Sequence, residues 1–461
     1  MKASAYAEAI HSICLANEPV NTGCSPNNPY SVSEFGKYMR KKYGSVTQFN
    51  RVAGRKFKSF DEVAKNASAD IAARYEFYSF SRESFTGWLR MLADAVKQVW
   101  PEIPVHNKIM VFSSTFQYVT GVDPELIGAF STYNGNDNCL YYRRGSYLAE
   151  WNLLAMSHEM QISLNPASIV NSENHIILDR ETRSIPNDHI YSAVFQQFVT
   201  GASALVTWVW ADVTYPFFVR YPRANRLGNI RLRPGNIVAH AMAGLDGLRL
   251  APELRKFFDS KPEVAILYSS TSLICSPDVY RAKVGALYTQ LCFTGYRVRF
   301  LSERQLARGE FGSVKLLYAV GARHVVPEAL EGMERFLASG GRIAADSESL
   351  ACDPFGNPLP RRLKTEPVAS LSPQSLLEQL HRHVAPLPVS LGSESDGIFF
   401  RVVPEEEGSW LVNLINYNFQ PRRIRMTGKG KWVDLILEQE ASSDFSLAPL
   451  KPQLLRFIPQ P

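Results

Sequence analysis

The 461 residues, 45% hydrophobic and 20% charged, have the make-up of a globular chain long enough for two or three domains, since single cores stop growing at roughly 250–300 residues. The net charge of +6 is spread thinly, without a basic block interleaved with aromatics, which excludes a known nucleic-acid module. The six cysteines are scattered without C-x-x-C spacing, which excludes a zinc ribbon or a dithiol motif, and no stretch of about 18 apolar residues offers a membrane span.

The amino terminus lacks the continuous apolar core of a signal peptide, so the expected location is cytoplasmic. From residue 11 to about 250, short apolar runs alternate with long amphipathic segments, the pattern of β/α units on a parallel sheet. Strands are predicted at 11–16, 104–111, 127–132, 167–172 and 204–210. The helix "SVSEFGKYMRKKYG" is predicted to open on a capping box, Ser31 with Glu34, and to close at Gly44, with Phe35, Tyr38 and Met39 facing the sheet. A second helix from Arg82 to Trp100 sets Phe85, Trp88, Leu89, Leu92, Ala95 and Val96 on one face before Pro101 stops it.

Near residue 262 a second alternating block begins: "EVAILYSS", a helix through "YRAKVGALYTQLCFTG", "RVRFLSE", "KLLYAVGA", a helix "PEALEGMERFLASGG" and "RIAADSES". This order implies a doubly wound sheet of the flavodoxin type. Beyond about 388, short strands separated by turn residues ("GIFFRVV", "SWLVNLINYN", "RRIRMTG", "KWVDLIL", "QLLRFIP") predict a small antiparallel β domain. The expected division is therefore 1–260, 261–387 and 388–461.

Two predicted strands run out into carboxylates, "ICLANEP" into Glu18 and "ASIVNSENH" into Glu173. The mouths of parallel barrel strands are where catalytic groups gather, and such residues converge in space although far apart in sequence. Retaining glycoside hydrolysis needs a pair of this kind, one nucleophile and one general acid then base, with environments that push their pKa values apart. Any barrel of this length also carries solvated loop glutamates. The neighbours favour chemistry: Asn17 can bond a sugar hydroxyl, Trp208 and Trp210 end the last strand where a ring could stack, and Asn107 and Tyr133 are placed at strand exits. No pair among His106, His158 and His175 has ligand spacing, so no catalytic metal and no cofactor are expected.

This constellation resembles the clan A glycoside hydrolases, most closely the family 42 β-galactosidases. "ANEP" matches the acid/base motif after the fourth barrel strand, "SENH" the nucleophile after the seventh, and "TGASALVTWVW" the eighth-strand segment with an active-site Trp. "FGKYMRKKYGSVTQFNRVAG" is similar to the helix and loop after the acid/base, but has Val52 and Ala53 where the family shows an aromatic. The resemblance implies an α/β fold: an N-terminally incomplete (β/α)8-type barrel, a flavodoxin-like trimerisation domain and a small antiparallel β domain. It implies Glu18 as acid/base, Glu173 as nucleophile, Asn17 on the sugar 2-hydroxyl and Trp210 as a pocket wall. It further implies a retaining exo-β-glycosidase acting on a β-linked glycoside as a homotrimer. On this match strands one to three are missing, and the chain starts in the helix before the fourth. The second block could instead carry a glutamine amidotransferase site, but "YAVGARHVVPE" has no Cys at the elbow. A non-enzymatic alternative is a barrel remnant serving carbohydrate binding or assembly. A sugar-responsive regulator would need a DNA-binding helix pair, and none is evident.

Overall fold

The computed structural model describes residues 2–110, 117–142, 147–178, 181, 183–208, 230, 233–392 and 396–460. The first strand, β1 (Ile13–Asn17), is followed by α1 (Pro29–Tyr43), α2 (Val46–Ala53), α3 (Phe60–Lys65) and the long α4 (Ile71–Val99). Next come β2 (Val105–Lys108), α5 (Pro124–Gly128), β3 (Asn134–Asn136), α6 (Tyr147–Leu164), β4 (Ile169–His175), α7 (Asn187–Val199), β5 (Ala202–Trp208), α8 (Pro234–Arg249) and α9 (Ala251–Asp259). β1 pairs parallel with β2, and β3 with β4 and β4 with β5. A parallel bridge from Ile109 to Asn136 joins the two groups. The five strands thus follow one another in sequence order, as successive units of a β/α barrel do. Among the described residues β1 and β5 each have one partner strand, so closure of the barrel is not seen.

Among the described residues the two edge strands are partly exposed. Cys14 and Asn17 of β1 are exposed, as are Ser203, Ala204, Val206 and Trp208 of β5. Beside β5, helix α8 turns Val238, Met242, Leu245 and Leu248 to solvent. These positions follow a helical stripe that would ordinarily be buried against a neighbouring unit.

Three local expectations are corrected. Residues 127–132 are not a strand: Asp123 accepts from the Leu126 amide and Pro124 sits in the first turn, so a short helix forms and the strand follows at 134–136. Helix α1 is capped by Asn28, not by Ser31, and Pro29 opens it; Gly44 does close it. Phe35 and Met39 are buried, but against Phe49, Phe77, Phe80 and Phe355 in a separate cluster between helices. In α4, Trp88 and Ala95 are exposed and the buried stripe is Arg82, Thr86, Leu89 and Ala93, one residue position around from the predicted face.

The second sheet holds β6 (Val264–Tyr268), β7 (Val298–Ser302), β8 (Leu316–Ala319), β9 (Arg342–Ala345) and β10 (Glu366–Pro367). Its helices are α10 (Ser270–Cys275), α11 (Pro277–Leu291), α12 (Glu303–Arg308), α13 (Pro327–Ala338) and α14 (Pro373–Leu380). The strand order β7-β6-β8-β9-β10, all parallel, is the flavodoxin-like order. The carboxyl-terminal part is antiparallel. It comprises β11 (Ile398–Pro404), β12 (Trp410–Asn416), β13 (Arg422–Arg425), β14 (Gly430–Asp434), β15 (Gln439–Glu440), β16 (Asp444–Leu447) and β17 (Gln453–Pro459). A five-stranded sheet runs β11-β12-β17-β14-β15, with β13 and β16 paired separately.

One core cluster runs from Leu89 through Phe300 to Leu454, so all three parts share buried surface. A buried ionic group ties them: Glu159 of α6 meets Arg401 of β11 and lies 3.5 Å from Arg297 Nε, ahead of β7. No described helix is long and apolar enough to cross a membrane.

Candidate active site

The carboxyl ends of β1 to β4 converge on one buried amino group. Lys108, the last residue of β2, has only 4% of its side chain exposed, and its Nζ lies 3.6 Å from Glu18 Oε1, 3.5 Å from Asp137 Oδ2 and in contact with Glu173 Oε2. His175 Nε2 stands 3.2 Å from Glu173 Oε1 and 3.7 Å from Asp137 Oδ1. The nearest oxygens of Glu18, Asp137 and Glu173 all fall within 4.8 Å of one another.

Two β-bulges aim these side chains. From Cys14 to Asn17, β1 advances three residues while β2 advances two, from His106 to Lys108. From Asn171 to Asn174, β4 advances three while β5 advances two, from Leu205 to Thr207. An extra residue bends the strand and re-aims the side chains that follow. In β4 it lets Asn171 and Asn174 bond Gln197 of α7 on the outside while Glu173 and His175 turn inward. Glu18 takes a φ of 47°, in the left-handed region, while its amide donates to the Lys108 carbonyl at 3.0 Å. Gly135 allows β3 to approach β2: a Cβ there would lie 2.1 Å from the Asn107 carbonyl oxygen. That approach carries Asp137 into the cluster.

Burial, with Lys108 opposing and Glu18 adding to the rise, pushes the Asp137 carboxyl up to about 6. Asp137 thus binds a proton more tightly than a free aspartate although an ammonium faces it.

Of the residues expected at the site, Glu18 and Glu173 are brought together. Trp208 ends β5 with its ring 5.9 Å from that of His175, at the rim of the cluster. Asn17 is exposed beside Glu18. Asn107 is buried in β2, and strand alternation turns it to the face opposite Lys108. Tyr133 is not at a strand exit: it precedes β3, with its ring 6.4 Å from that of His11, ahead of β1, so it sits at the other end of the strands. Trp210 lies outside the described residues. Lys108, Asp137 and the pairing of His175 were not anticipated; their common signal is position at or just past the carboxyl end of a strand.

Two groups among the described residues could hold a cation, Asp137 with Cys139 and His175, and Glu18 with Asp137 and Glu173. In the second, the Lys108 ammonium already stands among the carboxylates.

Residues 5–212 match the glycoside hydrolase 42 family, described as Beta-galactosidase. No curated protein matches the chain in sequence. Among solved structures, the apo exo-carrageenase of Bacteroides ovatus is similar with a TM-score of 0.81 at 19% identity, over 94% of this chain and 63% of that one. A β-galactosidase from Bacillus circulans sp. alkalophilus gives 0.71 at 15% over 92% and 76%, and one from the psychrophilic Marinomonas ef1 gives 0.67 at 11% over 94% and 77%. At these identities the likeness is one of fold. The chain spans 63% of the length of the first of these structures. It resembles the family 42 β-galactosidases in sequence over its first part and in fold over nearly its whole length.

Proposed function

We propose that this chain carries the catalytic carboxylates of a retaining exo-β-glycosidase, β-galactosidase-like, which removes terminal non-reducing β-linked sugars. The observation that carries this reading is the meeting of Glu18 and Glu173, from two strands, with oxygens within 4.8 Å. Retaining enzymes hold their pair about 5–5.5 Å apart, whereas inverting ones leave about 6.5–9.5 Å for a water. Glu173 attacks the anomeric carbon as the bond to the leaving oxygen breaks, and Glu18 gives its proton to that oxygen. Glu18 then takes a proton from water, whose oxygen displaces Glu173 and releases the sugar. Asn17 bonds the 2-hydroxyl, Trp208 forms a wall of the pocket, and the family likeness assigns Trp210 to the same wall. This chemistry calls for no cofactor.

The first 260 residues serve as the glycosidase part, residues 261–387 as a self-association domain in a homotrimer, and residues 388–461 as the closing β domain. The resemblance to family 42 supports the trimer, and the absence of a nucleophile elbow in "YAVGARHVVPE" supports a non-catalytic second domain.

Incubation with a 2-deoxy-2-fluoro aryl β-galactoside, then peptide mass spectrometry, should place the label on Glu173. Glu173→Gln should abolish turnover of aryl β-galactosides. Because one structural relative is an exo-carrageenase, carrageenan oligosaccharides belong in the same assay. Labelling at another residue would overturn the assignment. A second reading, a barrel remnant that binds carbohydrate or serves assembly, is favoured by the single partner strand that β1 and β5 each have among the described residues; sugar binding without turnover would select it.

A further inference from the structure

We propose that Lys108 is the positioning residue of Glu173: its buried ammonium lies beneath the two glutamates and holds the Glu173 carboxylate ionised and directed toward the mouths of the strands. The catalytic consequence rests on reading Glu173 as the nucleophile, whereas the positioning itself does not.

Depth gives the first argument. The Lys108 side chain is 4% exposed, against 17% for Glu173 and 37% for Glu18. The ammonium therefore sits below the carboxylates rather than in the space where a sugar would enter from solvent. Coordination gives the second. Glu173 is held at both oxygens, Oε2 by Lys108 and Oε1 by His175 Nε2 at 3.2 Å, which fixes the rotation of its carboxylate plane. A nucleophile needs that orientation, since a misplacement of about 1 Å is enough to cost a large factor in rate.

Charge gives the third. The charged or titratable groups that meet at this point, among the described residues, are Glu18 after β1, Lys108 of β2, Asp137, Cys139 and Tyr141 after β3, and Glu173 and His175 of β4. Three carboxyls confront one lysine amino group. Left without Lys108, the buried carboxylates would have to take up protons, because like charges at this spacing cannot all stay ionised. Lys108 makes its closest contact with Glu173, so Glu173 is the carboxylate whose charge it favours most. The built-in cation also accounts for a trio of carboxylates that would otherwise look like a metal site.

The test is a carbon-13 NMR titration of the full chain labelled at the glutamate side-chain carboxyl, with the Glu173 signal identified by its loss in Glu173→Gln. In Lys108→Met the Glu173 midpoint should rise by about 1–3 pH units, the effect of an opposite charge at this range. Lys108→Arg should restore most of the difference. Lys42→Met, which removes the partner of Glu76 elsewhere in the fold, should leave Glu173 unmoved. An unchanged midpoint in folded Lys108→Met overturns the proposal. Should that variant fail to fold, the unmodified chain decides: a Glu173 midpoint below that of free glutamate, about 4.3, supports the proposal and one at or above it overturns it. Fluoroglycoside labelling is read separately. A low Glu173 midpoint without labelling sinks the glycosidase reading and leaves the positioning intact, whereas labelling with an unmoved midpoint does the reverse.

Discussion

Asp137 Oδ2 lies 3.5 Å from the Lys108 ammonium, yet burial and the neighbouring Glu18 outweigh that attraction and push its carboxyl up to about 6. A raised carboxyl favours the folded state only while protonated. The folded protein loses stability as the pH climbs from the unfolded value, about 3.9, through 6, and the loss is complete above that. Asp137→Asn should therefore match the parent near pH 4 and exceed it at pH 7 by about 1–3 kcal/mol. Thermal unfolding at the two pH values checks this, and an equal effect at both would contradict it.

The 461-residue chain alone should hydrolyse aryl β-galactosides poorly. Among the described residues β1 and β5 each have one partner strand, and α8 carries an exposed apolar stripe. Open edges invite pairing with other chains. Aggregation and activity, measured on the same preparation at rising concentration, should run in opposite directions. Full activity without aggregation would contradict this.

Sedimentation equilibrium should return a trimer at micromolar concentration. The second sheet has the complete flavodoxin-like order and no elbow nucleophile, and self-association is the role the family likeness gives it. A strictly monomeric species would count against the assignment.

Glu159→Gln should lower stability by about 3–5 kcal/mol, because removing one partner of a buried ion pair strands the other charge. Here two guanidinium groups, Arg297 and Arg401, would lose their common carboxylate. Since the three residues come from all three parts of the fold, unfolding should shift as a single transition. A shift confined to one transition of several would mean that the shared core does not couple the parts.

Much of this was legible in the sequence because apolar runs mark buried strands. β1, β2, β4 and β5 lie within a few residues of their predicted spans, and β6 to β9 follow from continuous aliphatic stretches. β3 was not legible. "NGN" has no apolar residue; it is a strand because β2 and β4 flank it and Gly135 lets it close in, which are facts about neighbours. Asp137 was lost with it, and Tyr133 was placed at the wrong end. Glu18 and Glu173 were found because each ends an apolar run, whereas Lys108 reads as a solvated lysine until three carboxylates are seen around it. The bulges in β1 and β4 leave no mark in composition at all.

The left-handed backbone at Glu18 sets stability against the cluster. Holding a residue with a β-carbon there costs about 1–2 kcal/mol, and glycine or asparagine would occupy the same corner more cheaply. Glu18→Gly would relax the φ of 47°, but only by removing the carboxylate that faces Lys108. At this corner the most comfortable backbone and the complete ring of carboxylates exclude each other.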